Sequence, residues 1–155
     1  MKKIQPKWTP DAPVADNVRR ELPLMMKRFL LEGDRAARSN TPVEKLHQFR
    51  LSAKALRYTL EAFRRIYGPA LSNYVECVRS VQTALGELND CHATRAVLAG
   101  LAGDPATPTL LAYLEKREFE KRDAFQRLWT SRFSDKAFRA SFVQYTRSYA
   151  RHTSP

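Results

Sequence analysis

The chain has 155 residues, 43% of them hydrophobic, and a net charge of +11 from 27 lysines and arginines against 16 acids. That is enough apolar residue to bury a core in one domain, which excludes a disordered basic tail. The charge makes an anionic partner the default expectation and argues against a neutral-substrate enzyme.

Residues 1–12, with Pro6, Pro10 and Trp8, read as an N-terminal tail or arm, and 13–151 as a single helical domain. If Trp8 is ordered, it should cover an exposed edge of that domain. No run approaches a membrane span, and the N-terminus has no signal-peptide core, so the expectation is a cytoplasmic protein without a membrane partner.

A first helix is expected from Pro13 to Arg38, kinked or truly begun near Pro23, with Met25, Met26, Phe29 and Leu30 facing inward. Arg28, Arg35 and Arg38 share a side of it. They read as a solvated face that becomes a second wall of a cationic site if it turns toward the next helix.

Thr41 and Pro42 then form a cap and first-turn pair. The helix that follows, PVEKLHQFRLSAKALRYTLEAFRRIY, carries two registers. Leu46, Phe49, Ala53, Leu56, Leu60 and Phe63 make an apolar stripe. His47, Arg50, Lys54 and Arg57 repeat beside it within an arc of roughly 80° and a length of roughly 15 Å. Only Glu44 and Glu61 oppose the cations of this stretch, so the row reads as unneutralised, a surface for a polyanion. Gly68 should supply a left-handed C-cap.

A third helix is expected over 70–100, with Tyr74, Val78, Val81, Leu85 and Leu88 inward. Gly86 inside it suggests close approach of a neighbouring helix, and Asn89 or Asp90 is expected to hydrogen-bond a member of the cationic row or to stabilise a local helix irregularity. Cys77 and Cys91 lie about 21 Å apart along that helix, beyond disulfide reach, and no ligand spacing suits a metal, so no cofactor is expected.

A fourth helix, Thr107–Arg132, should bury Leu110, Leu111, Leu114, Phe125, Leu128 and Trp129. Arg117 and Lys121 fall near its apolar face and are candidates for a polar groove. A last helix, Asp135–Arg151, is expected after a Ser134 cap. It either continues the fourth after a break or packs across the bundle or a dimer interface.

His47, Arg50, Lys54, Leu56, Arg57, Tyr58, Glu61 and Phe63, followed by Gln82, Leu85, Gly86, Glu87, Leu88, Asn89 and Asp90, resemble the two signatures of the CHAD family of histidine-containing α-helical domains. The resemblance spans about 13–150 and implies an all-α fold, here an antiparallel four-helix bundle formed by one CHAD-type repeat with an extra or broken C-terminal helix. It also implies binding of inorganic polyphosphate through His47, Arg50, Lys54 and Arg57, with lesser candidates Arg28, Arg35, Arg117 and Lys121 and with Asn89 and Asp90 in support. Granule targeting or regulation of polyphosphate metabolism follows as the role, without catalysis. The family carries two repeats where this chain has one, so two chains pairing to rebuild the arrangement is one option and a repeat working alone is the other. Ala55 stands where the family often has a base. The competing functions are a nucleic-acid-binding basic protein, set against the absence of exposed aromatics interleaved with the row, and an accessory or phosphohistidine role in phosphate transfer. Protonation of His47 would strengthen binding as pH falls.

Overall fold

A computed structural model describes residues 7–100 and 106–148. These form six helices: α1 (Val14–Ala36), α2 (Val43–Ala62), the single turn α3 (Arg64–Tyr67), α4 (Leu71–Ala99), α5 (Thr107–Phe133) and α6 (Lys136–Ser148). The all-α class expected from the sequence is the one observed. α4 packs against both α2 and α5, and α1 packs against α2 and α6. Cross-helix bonds show that α2 and α4 run antiparallel, with Arg57 on Gln82 and His47 on Asn89. The same holds for α1 and α6, where Arg139 bonds Asp34 and Thr146 bonds Met26.

The apolar stripes meet in an aromatic centre. Phe29 lies 5.3 Å from Phe49, 5.5 Å from Trp129 and 5.7 Å from Phe133 between ring centroids. Trp129 stacks on Phe133 at 4.4 Å and is oriented by an Nε1–H bond to Asp34 at 3.1 Å. Gly33 makes this stacking feasible. A Cβ built there would fall 1.9 Å from Trp129 Cη2, so α1 carries no side chain where the indole crosses it.

Several helix ends differ from expectation. α1 runs through Pro23 as one element. Pro13 and Pro42 are N-cap residues, in extended backbone, rather than first-turn residues. Thr41 does not cap α2 but bonds back to the Arg35 carbonyl at 2.8 Å, folding the connection onto α1. α5 starts at Thr107 as expected, with Ala106 as N-cap, and runs one residue further, to Phe133. Asp135, not Ser134, holds the start of α6, accepting the Ala137 N–H at 2.8 Å. The signature helix ends at Ala62, and Gly68, at φ 80° and ψ −175°, terminates α3 instead. That conformation is open to glycine and strained for other residues.

The last helix packs on α1 as a separate element, anchored by Phe142. A reciprocal pair of bonds ties it to α3: Tyr67 Oη–H donates to the Thr146 carbonyl at 2.6 Å, and Tyr145 Oη–H to the Tyr67 carbonyl at 2.8 Å. Burial pushes the Tyr67 hydroxyl well above the ordinary tyrosine range, keeping it a donor. Tyr149 and Arg151 lie outside the described residues.

Two segments carry more or less structure than the sequence suggests. The end of the expected tail is tied down from Lys7 onward. Thr9 N–H donates to Asn17 Oδ1 at 2.7 Å, Lys7 N–H to Glu21 Oε2 at 3.0 Å, and Trp8 covers Phe63 at 5.5 Å. Conversely, the first half of α5 buries none of its leucines, and Leu110 is 45% exposed. The core stops at Leu88 on α4 and resumes at Phe125 on α5. Beyond Leu88 no described residue of α4 is buried, so the leucines at the start of α5 meet no enclosed core.

Candidate functional site

The antiparallel pairing of α2 and α4 brings the two signature segments face to face. On α4, Gln82, Gly86 and Asn89 follow at steps of four and three, which places them on one stripe within roughly 60°. That stripe meets the row of His47, Arg50 and Arg57 rung by rung.

At one end His47 Nδ1–H donates to Asn89 Oδ1 at 2.8 Å. Since the amide oxygen only accepts, the ring nitrogen that faces it is the one carrying a proton. Asp90 does not share this role. Its residue is exposed, its side chain makes no hydrogen bond among the described residues, and its backbone carbonyl accepts from Thr94 Oγ1 at 2.8 Å.

In the middle, Arg50 lies along α4 over Gly86. A Cβ at Gly86 would come within 3.5 Å of Arg50 Nε, so the close approach that the glycine signals is by an arginine side chain. The Arg50 Nε–H is buried and has no hydrogen-bond partner among the described residues. Lys54, half-buried one turn on, has its Nζ 5.7 Å from the Tyr58 ring. Among the described residues, neither Arg50 nor Lys54 has a carboxylate within 4.0 Å.

At the other end Arg57 is held on three sides. Its Nε–H donates to Gln82 Oε1 at 2.7 Å, its Nη1 to Glu61 Oε1 at 2.7 Å, and its guanidinium sits 4.3 Å from the centre of the Tyr58 ring. The row is therefore not wholly unneutralised, because Glu61 makes the i,i+4 pair with Arg57 and also takes Arg79 at 3.1 Å. Nor is the row free of aromatics, because Tyr58 is 50% exposed beside Lys54 and Arg57. The uncompensated part of the surface is the Arg50–Lys54 centre, flanked by an oriented imidazole and an oriented guanidinium. Such an arrangement presents charge-assisted donors to successive oxyanions of a linear polyanion.

The lesser candidates are not brought to this groove. Arg28 belongs to α1, where its Nε–H bonds Glu32 at 2.9 Å. Arg35 lies at the junction of α1 with the following connection, against a pocket shared with Lys45. Lys121 closes a salt bridge with Glu87 on the α5 side of α4, at 2.7 Å, and Arg117 lies 5.9 Å from the Tyr113 ring on the same helix. Two residues that sequence reasoning left without a role, Gln82 and Glu61, turn out to fix Arg57. The signal for Gln82 was its shared stripe with Gly86 and Asn89.

Fold and site define an all-α domain in which one helix holds a partly uncompensated basic row against a polar stripe of another. The CHAD domain family model matches residues 2–99, and the chain belongs to that family. The match starts earlier than the resemblance read from the motifs and ends with α4, leaving α5 and α6 outside it. No curated protein and no solved structure matches the chain.

Proposed function

We propose that the domain binds inorganic polyphosphate along the α2–α4 groove. The observation that carries this reading is the Arg50–Lys54 centre, where, among the described residues, a buried guanidinium Nε–H has no acceptor and neither cation has an acid partner while their neighbours are tightly held. Arg50 supplies a planar fork for one phosphate and Lys54 a mobile charge for the next. The His47 ring and the Arg57 guanidinium extend the path. Binding releases counterions and weakens with salt. Membership of a family linked to polyphosphate supports the choice of polyanion. On this reading the domain acts by binding rather than catalysis, in the cytoplasm and at polyphosphate granules, where it targets the chain or regulates a partner enzyme. It works with one repeat or with a second copy completing the surface.

One observation favours a second reading, single-stranded nucleic acid. Tyr58 is exposed within the row and offers a stacking surface, although Arg57 occupies one face of it. Titration of long-chain polyphosphate, single-stranded DNA and duplex DNA at two salt concentrations separates the two. Preference for polyphosphate that is lost in an Arg50→Ala/Lys54→Ala variant and kept in Tyr58→Ala supports the first reading. Tighter binding of single-stranded DNA that depends on Tyr58 supports the second.

A further inference from the structure

The outer half of the α4–α5 hairpin stands apart from the rest of the chain in charge as well as in packing. Residues 91–121 hold four bases and four acids, so the whole net charge of +11 resides outside them. Within this neutral stretch Leu110 and Tyr113 are exposed, and Leu98 and Leu114 are half-buried. A hairpin of two helices leaves its flanks to solvent, whereas two hairpins stacked flank on flank close a four-helix core.

Helix geometry shows which flank is free. On α4, Glu87, Cys91, Thr94 and Leu98 follow at steps of four, three and four, on a stripe roughly 140° around the helix from the Gln82, Gly86 and Asn89 stripe that meets α2. On α5, Leu110, Leu114, Arg117 and Lys121 follow at the same steps, and Lys121 Nζ reaches Glu87 at 2.7 Å, so the two stripes lie side by side on one flank. α2 packs on the other side of α4, and every residue of the two stripes is exposed or half-buried.

The charges of this flank select a second copy of the same chain. Followed toward the core, the α4 stripe adds Glu76 and carries no base, while Leu110 to Lys121 on α5 carry Arg117 and Lys121 and no acid on the stripe. A two-fold axis parallel to the helices lays α4 of one copy on α5 of the other at equal height, with Leu98 over Leu110, Thr94 over Leu114 and Glu87 over Lys121. The apolar tips then meet each other, and acid meets base. The perpendicular two-fold sets acid on acid along α4 and base on base along α5. Elsewhere two chains of +11 repel, so the neutral flank is where they can approach.

We propose that two copies of the chain associate through this flank, α4 of each against α5 of the other. The stripes run roughly 16 Å from Glu87 to Leu98, and two helices side by side over that length bury on the order of 1,000 Å² in total, the lower end for a specific interface, so association falls in the micromolar range. Each copy keeps its own groove whole and facing outward, and the pairing is independent of which polyanion the groove takes.

The test is analytical ultracentrifugation of the full chain from about 1 to 200 µM without polyanion, each variant checked for folding by circular dichroism. The expected result is a monomer–dimer equilibrium whose dissociation constant rises about tenfold or more in Leu110→Glu and in Glu87→Lys, and returns toward wild type in Glu87→Lys/Lys121→Glu. The groove variant Arg50→Ala/Lys54→Ala should not weaken it. Because the rest of the two surfaces repel, the dimer should tighten as salt rises, the opposite of a pair bridged by polyanion. The axis is checked in a Cys77→Ser/Cys91→Ser background with a short thiol cross-linker. A mixture of Leu98→Cys and Leu110→Cys chains should give mixed pairs in excess of either like pair. A chain that stays monomeric, a dimer indifferent to Leu110→Glu and Glu87→Lys, or an excess of like pairs would overturn the proposal. So would a monomer captured by neutral phosphatidylcholine vesicles through Leu110, which would assign the flank to a lipid surface.

Discussion

α4 presents two polar faces, and they are finished differently. Toward α5 its charges are closed: Glu87 takes Lys121 at 2.7 Å, and Arg95 takes Glu118 at 3.3 Å, with His92 also beside Glu118. Toward α2 the corresponding face is open, with Gln82, Gly86 and Asn89 offering neutral atoms to arginine and histidine and no carboxylate to Arg50 or Lys54. Both faces belong to one basic chain. Net charge alone therefore does not explain the open one, since Glu87 of α4 and Glu118 of α5 are supplied where the contact between those helices is sealed. The face left open is the one on which both signature segments converge.

The largest effect expected from disturbing this contrast is on polyanion affinity. Arg50→Ala/Lys54→Ala should weaken long-chain polyphosphate binding about 100-fold or more at low salt, whereas Arg95→Ala/Lys121→Ala, which removes the same formal charge, should stay within about threefold of wild type. Fluorescence anisotropy with labelled polyphosphate checks both. Next is the seat of Arg50. Gly86→Ala fits at ordinary contact distance and should leave affinity within about twofold, while Gly86→Leu displaces the guanidinium and should cost about tenfold at unchanged helicity.

A change in the shared core should behave in the opposite way. Gly33→Ala drives a methyl into Trp129 and is expected to destabilise by about 1–3 kcal/mol or more in chemical denaturation, without altering the preference for polyphosphate over DNA. A smaller effect concerns the oriented imidazole. His47→Gln and Asn89→Ala should each weaken polyphosphate binding by about two- to threefold at fixed pH, the first by removing the ring and the second by freeing it. The smallest is at the N-terminal strap. The Lys7 N–H and the Arg20 guanidinium hold the Glu21 carboxyl below its ordinary value. A lowered carboxylate stabilises fully above the ordinary glutamate range, and the contribution vanishes as pH falls through the depressed value. Glu21→Gln should therefore remove part of the acid sensitivity of the Trp8–Phe63 contact, read by Trp8 fluorescence in a Trp129→Phe background.

Helical periodicity made most of the fold readable in advance, because Leu46, Phe49, Ala53, Leu56 and Leu60 bury as their spacing requires. The row beside them and the hydrogen bond from Asn89 were legible for the same reason, since residues at three- and four-residue steps share a face. Pairing between distant helices was not. Periodicity fixes which side of α4 carries Gln82 but not which arginine stands opposite, so Arg57 looked free until Glu61 and Gln82 were seen around it. The leucines of α5 misled because an apolar stripe records a capacity for burial, and α5 outruns the helices that would cover Leu110, Leu111 and Leu114. Helix ends depended on backbone angles at Pro13, Pro42 and Gly68 that composition leaves open.

The most direct test observes the arginine Nε–H groups by nitrogen-resolved NMR while polyphosphate is added. Arg50, whose Nε–H is buried without an acceptor, should shift first and furthest, Arg57 less because Gln82 already holds its Nε–H, and Arg95 least. Shifts spread evenly over all arginines, or led by Arg95 on the sealed face, would contradict the assignment of the α2–α4 groove as the binding site.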